Sequence, residues 1–369
     1  MTILSKVIQR VNNMKITEQQ IEKLRKKKNL KILAIESSCD ETAVAIVEDG
    51  RNLLANVIAS QIDIHTRFGG VVPEVASRNH ITAISNVCNQ ALEQANLTLD
   101  DIDAIAVTYG AGLLGALLVG VSFAKGLAYM SNKPLIPVNH IRGHIASNYI
   151  SHKDLKPPFV CLMISGGHTA ILKVNSYTQM EMIGTTVDDA VGEAFDKVAR
   201  VVGLGYPGGP KIDNLAKQGQ SNINFVNKPI LAGTNNFSFS GIKTAVINYA
   251  HNAEQKGEQI VAEDVCASFQ TAVVNELATK AIRATIESGL GKLVVAGGVS
   301  ANSFLKARLE KDCKQNGIEL FMPELKLCTD NAAMIGSEAY YYFTSGGDVA
   351  ELSQTAKSVL PLEVNIGKK

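Results

Sequence analysis

The sequence predicts an α/β fold of two duplicated lobes on three observations: a strand-turn-strand motif that occurs twice, a strand-glycine-helix motif that occurs twice, and a length beyond one core. Lys31-Ile-Leu-Ala-Ile-Glu36 is an apolar strand, Ser37 to Glu41 a small polar turn, and Thr42 to Val47 a second strand. Phe159 to Ile164, the turn Ser165-Gly166-Gly167-His168 and Thr169 to Val174 repeat that design. Ala104 to Thr108, with its glycine turn and small-residue helix, is echoed by Leu293 to Ala296, Gly297-Gly298 and a helix from Asn302 onward. At 369 residues the chain exceeds one typical core, so two domains are expected.

Composition narrows the class. A hydrophobic fraction of 46% with 19% charged residues describes an ordinary globular protein. Lys plus Arg number 36 against 35 for Asp plus Glu, so no global basic charge announces a nucleic acid, and any RNA partner must be held by a local patch or another subunit. Cys39, Cys88, Cys161, Cys266, Cys313 and Cys328 form no C-x-x-C, a pattern that suits free thiols in a reducing cytoplasm. The first thirty residues lack a signal peptide's apolar run and read as an amphipathic helical extension ending in the solvated basic stretch Arg25-Lys26-Lys27-Lys28. Residues 104 to 124 carry no charge, but Gly110 and Gly112 break them into strand, turn and helix, so no membrane span is expected.

The sharpest chemical signal is His140 and His144, four residues apart. On a helix such residues stack on one face about 6 Å apart, close enough for two imidazoles to grip one metal ion. Ile141, Ile145 and Tyr149 form an apolar stripe beside them, so the pair borders the core. The plain alternative is two helix-edge histidines paired with carboxylates or water. Asp330 precedes a helix running to about Phe343, where it is either the cap or a third ligand. Two nitrogens and one oxygen suit iron or zinc better than magnesium.

Glycine turns at strand ends make a nucleotide site reasonable, because glycine lets backbone N–H groups approach phosphate. Ser165-Gly166-Gly167 is otherwise a tight hairpin, and Gly297-Gly298 with Asn302 otherwise a helix start. Asp188 to Val202 reads as an amphipathic helix with Val191, Phe195, Val198 and Val202 on its apolar face. Asp196 beside that face pairs with Arg200 or accepts from a ribose. Gly203 to Pro210 reads as an irregular loop, and Asp213 beyond it as a polyol contact or a helix-start acid.

Taken together, these segments resemble one family, the threonylcarbamoyl-adenosine transferases of transfer RNA (TsaD type). The resemblance runs in order from about residue 31 to the C-terminus through Ile35 to Thr42, His140/His144, Ser165 to His168, Gly192 to Lys197, Tyr206 to Pro210, Phe237 to Gly241, Gly297 to Asn302 and Thr329 to Asn331. It implies a two-lobed actin-like ATPase (ASKHA) fold with a central cleft. It also implies transfer of threonylcarbamoyl from its AMP anhydride to N6 of adenosine 37, in transfer RNAs reading codons that begin with A. Under it His140, His144 and Asp330 hold a divalent iron or zinc, and Glu36 faces the cleft. Met163, Ile164, Ser165, Gly166, Gly167, Asp196, Gly209, Asp213 and Asn302 line the adenylate pocket for threonylcarbamoyl-AMP, with ATP a further candidate. A paralogous TsaB-type subunit, a small TsaE-type ATPase and a separate threonylcarbamoyl-AMP synthase are the implied partners. The chain departs from the family pattern at Asn139, where another His is frequent, and at Arg142, where an acidic or small residue is common; neither replaces a ligand.

Such chemistry has a clear physical demand. An exocyclic adenine amine is a poor nucleophile, so the enzyme must activate the electrophile, by metal polarisation of the carbonyl and by backbone donors to the departing phosphate. A metalloprotease would need H-E-x-x-H, and Ile141 stands where its base belongs. A small-molecule carbamoyltransferase resembles the family but carries an extra domain for which this length leaves no room, and a non-catalytic paralogue lacks the ligands present here. The expected domains are residues 1–30 as extension, 31–138 as lobe I, 139–344 as lobe II with the metal and adenylate site at the lobe interface, and 345–369 packing back on lobe I.

Overall fold

Each duplicated motif becomes part of a sheet in the computed structural model, which describes residues 16–226 and 231–362. In chain order the elements are α1 (Glu18–Arg25), β1 (Lys31–Glu36), β2 (Glu41–Glu48), β3 (Asn52–Ser60), α2 (Ile62–Thr66), α3 (Pro73–Ala95), β4 (Ala104–Gly110), α4 (Leu114–Ser131), β5 (Leu135–Asn139) and α5 (His140–Ser151). There follow β6 (Phe159–Ile164), β7 (Thr169–Val174), β8 (Met180–Thr185), α6 (Val191–Val201), α7 (Gly208–Ala216), α8 (Ser240–Lys256), α9 (Ala262–Ser288), β9 (Lys292–Ala296), α10 (Ser303–Asn316), β10 (Glu319–Phe321) and α11 (Ala332–Thr344).

The two sheets have the orders β3-β2-β1-β4-β5 and β10-β9-β6-β7-β8, one topology written twice. In each, three antiparallel strands are followed by two parallel ones: β1 pairs β2 antiparallel and β4 parallel, as β6 pairs β7 and β9. The strands read as continuous apolar runs because helices cover both faces. Leu33, Ile35, Ile105 and Val107 join Leu117 and Val121 of α4 in one core cluster. On the opposite face α11 lies so close that a Cβ on Gly336 would sit 2.7 Å from the Val47 side chain, and only glycine permits that approach. Val160, Leu162, Leu293 and Val295 form the corresponding cluster of the second sheet with Phe195, Phe269 and Val273. α4 is long and apolar enough to cross a membrane by composition, yet its Leu117, Val121 and Ala124 are core residues and it follows β4 through a glycine turn.

Contacts divide the chain into unit 1, comprising residues up to Gln61, Pro73–Lys153 and from Asp330 onward, and unit 2, comprising Ile62–Val72 and Asp154–Thr329. This differs from a boundary at residue 139. α5 belongs to unit 1, and so do Asp330 and α11, because α5 packs on α11 (a Cβ on Gly143 would lie 2.8 Å from Ile335) and α11 lies on the first sheet. Beyond residue 345 the chain returns to that sheet, where Ala350 N donates to Leu135 O and Lys357 N to Tyr109 O, both at 2.7 Å.

Residues 1–15 of the expected helical extension lie outside the described residues. α1 starts at a capping box formed by Thr17 and Gln20, and Arg25 anchors it by donating to Gly347 O at 2.7 Å and lying over the Phe343 ring. Lys26, Lys27 and Lys28 are exposed. Two readings need correction. α6 begins at Val191 rather than Asp188, since Asp188 accepts from Phe239 N and Ser240 N and Asp189 pairs with Lys197 and Lys243. Gly208 to Pro210 are already helical, because a proline in the first turn withdraws only an N–H that has no intrahelical partner.

Candidate functional site

Unit 1 gathers His140, His144 and Asp330 by means of two helix caps. Asn139 ends β5 and caps α5, its Oδ1 accepting from Ile141 N at 2.9 Å, which places His140 at the first helical position and His144 one turn on. Their ring centroids lie 4.7 Å apart. The cap of α11 is Asn331, whose Oδ1 accepts from Met334 N at 3.1 Å. Asp330 is therefore not the cap, and its Oδ1 lies 3.1 Å from His144 Nε2 and 3.5 Å from His140 Nε2. One ligand atom from each of the three falls within 4.8 Å of the others.

Behind His140 stands a second layer. Its Nδ1 is 3.1 Å from Glu36 Oε2 and 3.1 Å from Ser38 Oγ. Glu36 also accepts from Thr108 Oγ1 at 2.6 Å and from Ser38 N at 2.5 Å. Glu36 is fully buried. Burial opposes charge on His140, but Asp330 and Glu36 override it and raise the imidazole to about 9. Burial would raise Asp330 too, and His140 and His144 instead bring it down to about 2. Glu36 is likewise lowered, against the pull of burial, by His140.

These residues fit a metal ion. Although His144 Nε2 is near Asp330, neither ring nitrogen of the buried His144 has a hydrogen-bond partner in bonding geometry among the described residues. A carboxylate on Nδ1 of a ligating histidine fixes its tautomer and leaves Nε2 for the metal, the relation of Glu36 to His140. Two imidazoles and one carboxylate with open positions suit iron or zinc.

The other candidate residues all lie in unit 2, at strand ends, in turns and on helices. Met163 and Ile164 end β6 and are fully buried, while Gly166 and Gly167 are exposed in the following turn. A Cβ on Gly192, at the start of α6, would meet Gly166 Cα at 2.7 Å, and one on Gly297 (φ 93°) would meet Ile164 O at 2.3 Å, so α6 and the end of β9 both close on this turn. Asp196 Oδ1 accepts from Gly208 N at 2.7 Å, beside Gly209, which joins α6 to α7. Asp213 is inside α7, and its carboxylate accepts from Ser303 N and Ser303 Oγ at the start of α10. Asn302 caps that helix through Leu305 N and donates to Gln270 Oε1. Asp213 and Asn302 thus spend hydrogen bonds on holding α10. By contrast a Cβ on Gly166, Gly167 or Gly209 would meet no atom within 4 Å, and none of the three has a positive φ.

Sequence reasoning missed Ser38, Thr108 and Glu338, the last paired with Arg142. Ser38 sits in the polar turn after β1, so its position was visible in the sequence and its role was not. All six cysteines are free.

A duplicated sheet topology of this kind is the actin-like (ASKHA) fold, and solved structures agree in fold. Full-length HypF in its phosphate- and nucleotide-bound form superposes with a TM-score of 0.58 at 17% identity, covering 87% of this chain and 47% of that one. The activator of the 2-hydroxyisocaproyl-CoA dehydratase from Clostridium difficile, with bound ADPNP, gives 0.51 at 13% identity over 86% and 96%. Sequence narrows the class further. Residues 52–337 match the family model TsaD, tRNA N6-adenosine threonylcarbamoyltransferase. Proteins named tRNA N6-adenosine threonylcarbamoyltransferase from Clostridium botulinum (strain 657) and Clostridium perfringens (strain ATCC 13124) are 58% and 59% identical, over 87% and 90% of this chain and 94% and 98% of theirs. The chain belongs to this family of transferases.

Proposed function

We propose that this enzyme transfers the threonylcarbamoyl group from threonylcarbamoyl-AMP to N6 of adenosine 37 in transfer RNAs reading codons that begin with A, with a divalent iron or zinc held by His140, His144 and Asp330. The observation that carries the metal part is the convergence of those three side chains within 4.8 Å, backed by Glu36, in a chain of this family. When bound, the metal supplies Lewis-acid polarisation of the threonylcarbamoyl carbonyl. Glu36 acts as a positioning residue that holds the His140 ring with Nε2 free. In unit 2 the adenylate reading is supported by Gly166, Gly167 and Gly209, where neither φ nor packing among the described residues requires glycine and a bare backbone can approach a ligand closely. N–H groups of such turns are suited to the departing phosphate.

Cytoplasmic location and the partners belong to the same reading: transfer RNA, the synthase that supplies the donor, a TsaE-type ATPase and a paralogous TsaB-type subunit. α3 and α4 pack together in unit 1 and carry the exposed apolar side chains Ile81, Leu114, Leu118 and Met130, which suits a protein subunit there. The test is to incubate the chain with those proteins, unmodified transfer RNA and threonylcarbamoyl-AMP, then to digest the RNA and look for threonylcarbamoyl-adenosine by mass spectrometry. Product from wild type and its loss in His140→Ala is the expected outcome. No product from the metal-loaded, partner-bound wild type would overturn the reading.

A further inference from the structure

We propose that the buried Arg142–Glu338 pair is a clamp that positions the three metal-ligand side chains relative to one another, an inference that rests on the metal reading above. Arg142 lies on α5 between His140 and His144, and Glu338 lies on α11, which starts directly after Asp330 and Asn331. Arg142 Nε donates to Glu338 Oε1 over 2.6 Å, with the side chains 3% and 2% exposed. One charge-assisted bond thereby ties the histidine turn to the helix whose start holds the carboxylate.

The neighbouring contacts between α5 and α11 are of other kinds. Gly143 approaches Ile335 and Met334 through apolar contact, which resists separation more than sliding. Ser337 Oγ donates to Ala146 O at 3.2 Å, beyond His144 along α5. A cavity of about 40 Å³ lined by Tyr109, Asn139 and Tyr342 adjoins the pair, with room for one water beside Glu338 Oε2, which has no hydrogen-bond partner among the described residues.

Stability does not account for the pair. An apolar pair of similar volume holds two helices together as well or better, because burying two charges costs roughly what their attraction returns. Burial pushes the Glu338 carboxyl up, and Arg142 beside it pulls in the opposite direction. What the ion pair adds over leucine is a fixed direction and length. Arg142, at a position where the family resemblance leads to an acidic or small residue, has its reason in Glu338 of this same chain.

The experiment is zinc titration of the apo protein against a chromophoric chelator for wild type, His140→Ala, Glu338→Gln and the double variant Arg142→Met/Glu338→Leu, with urea unfolding of each apo form alongside. The clamp predicts that both Glu338→Gln and the double variant bind zinc about 10-fold or more weakly, the double variant doing so while unfolding at wild-type urea concentration or above. A folded double variant with wild-type zinc affinity would overturn the proposal, whatever Glu338→Gln does. Wild type binding zinc no better than His140→Ala would instead strike the metal reading itself, so the two failures are distinguishable.

Discussion

The turns that follow β1 and β6 occupy the same place in two copies of one topology, yet they are built oppositely. After β1, Glu36, Ser37 and Ser38 are buried, and their polar atoms are spent on one another, on Thr108, on Ala116 O and on His140. After β6, Gly166 and Gly167 are exposed, carry no side chain and face open space. Strand pairing ends at Glu36 and Ala43 in the first and at Ile164 and Thr169 in the second, so the first turn is the longer. A longer turn has residues to fold inward as side-chain support, which suits a cation. A short glycine turn leaves only backbone to offer, which suits an anion. Duplication thus supplies two frames, and turn chemistry equips them differently.

Removing a ligand from the supported centre has the largest expected effect. His144→Ala should abolish stoichiometric metal content, measured by mass spectrometry of the metal, and lower transfer by more than about 100-fold. Full metal content in that variant would break the assignment of the first turn to a metal. Next comes Glu41, which begins β2 at the far end of that turn; burial raises its carboxyl to about 8. Because the folded value lies above the unfolded one, its contribution is fully present below about pH 4.5 and is lost as pH rises toward 8. Glu41→Gln should therefore match wild type in urea unfolding near pH 4 and exceed it by roughly 4 kcal/mol at pH 8, with parallel stability curves counting against a buried acid there.

In the second turn, Gly167→Ala has room for its methyl and should unfold as wild type does, while KM for threonylcarbamoyl-AMP rises about 10-fold, or about 1.4 kcal/mol. An unchanged KM would detach the turn from the donor. The smallest change is expected for Ser38→Ala, which removes one of two polar contacts to His140 Nδ1 and leaves Glu36 in place. Metal affinity should weaken about 3-fold in chelator competition, within the range of a single neutral hydrogen bond. A loss as large as that from a ligand would make Ser38 the principal support and Glu36 the lesser.

Much of this was legible in the chain. The repeated strands, the free cysteines and the helix carrying His140 and His144 follow from local pattern, since apolar runs and histidine spacing act over a few residues. Asp330 was ambiguous because Asp and Asn are both good caps, and adjacent Asp330-Asn331 offers two; the backbone chose Asn331. Asp213 and Asn302 read as pocket residues, and the fold shows both also holding α10. The domain boundary misplaced α5 because helix partnership with α11 joins segments far apart in sequence.

By itself, then, the sequence determined which side chains could carry chemistry and which stretches would be strand or helix, because residue type and period are local properties. Tertiary structure alone decided what those side chains face. Glu36 meets His140 across 104 positions, and Arg142 meets Glu338 across 196. At such separations a pairing is selected by the packing of whole helices on a sheet, which makes a buried carboxylate tolerable only where its partner also arrives.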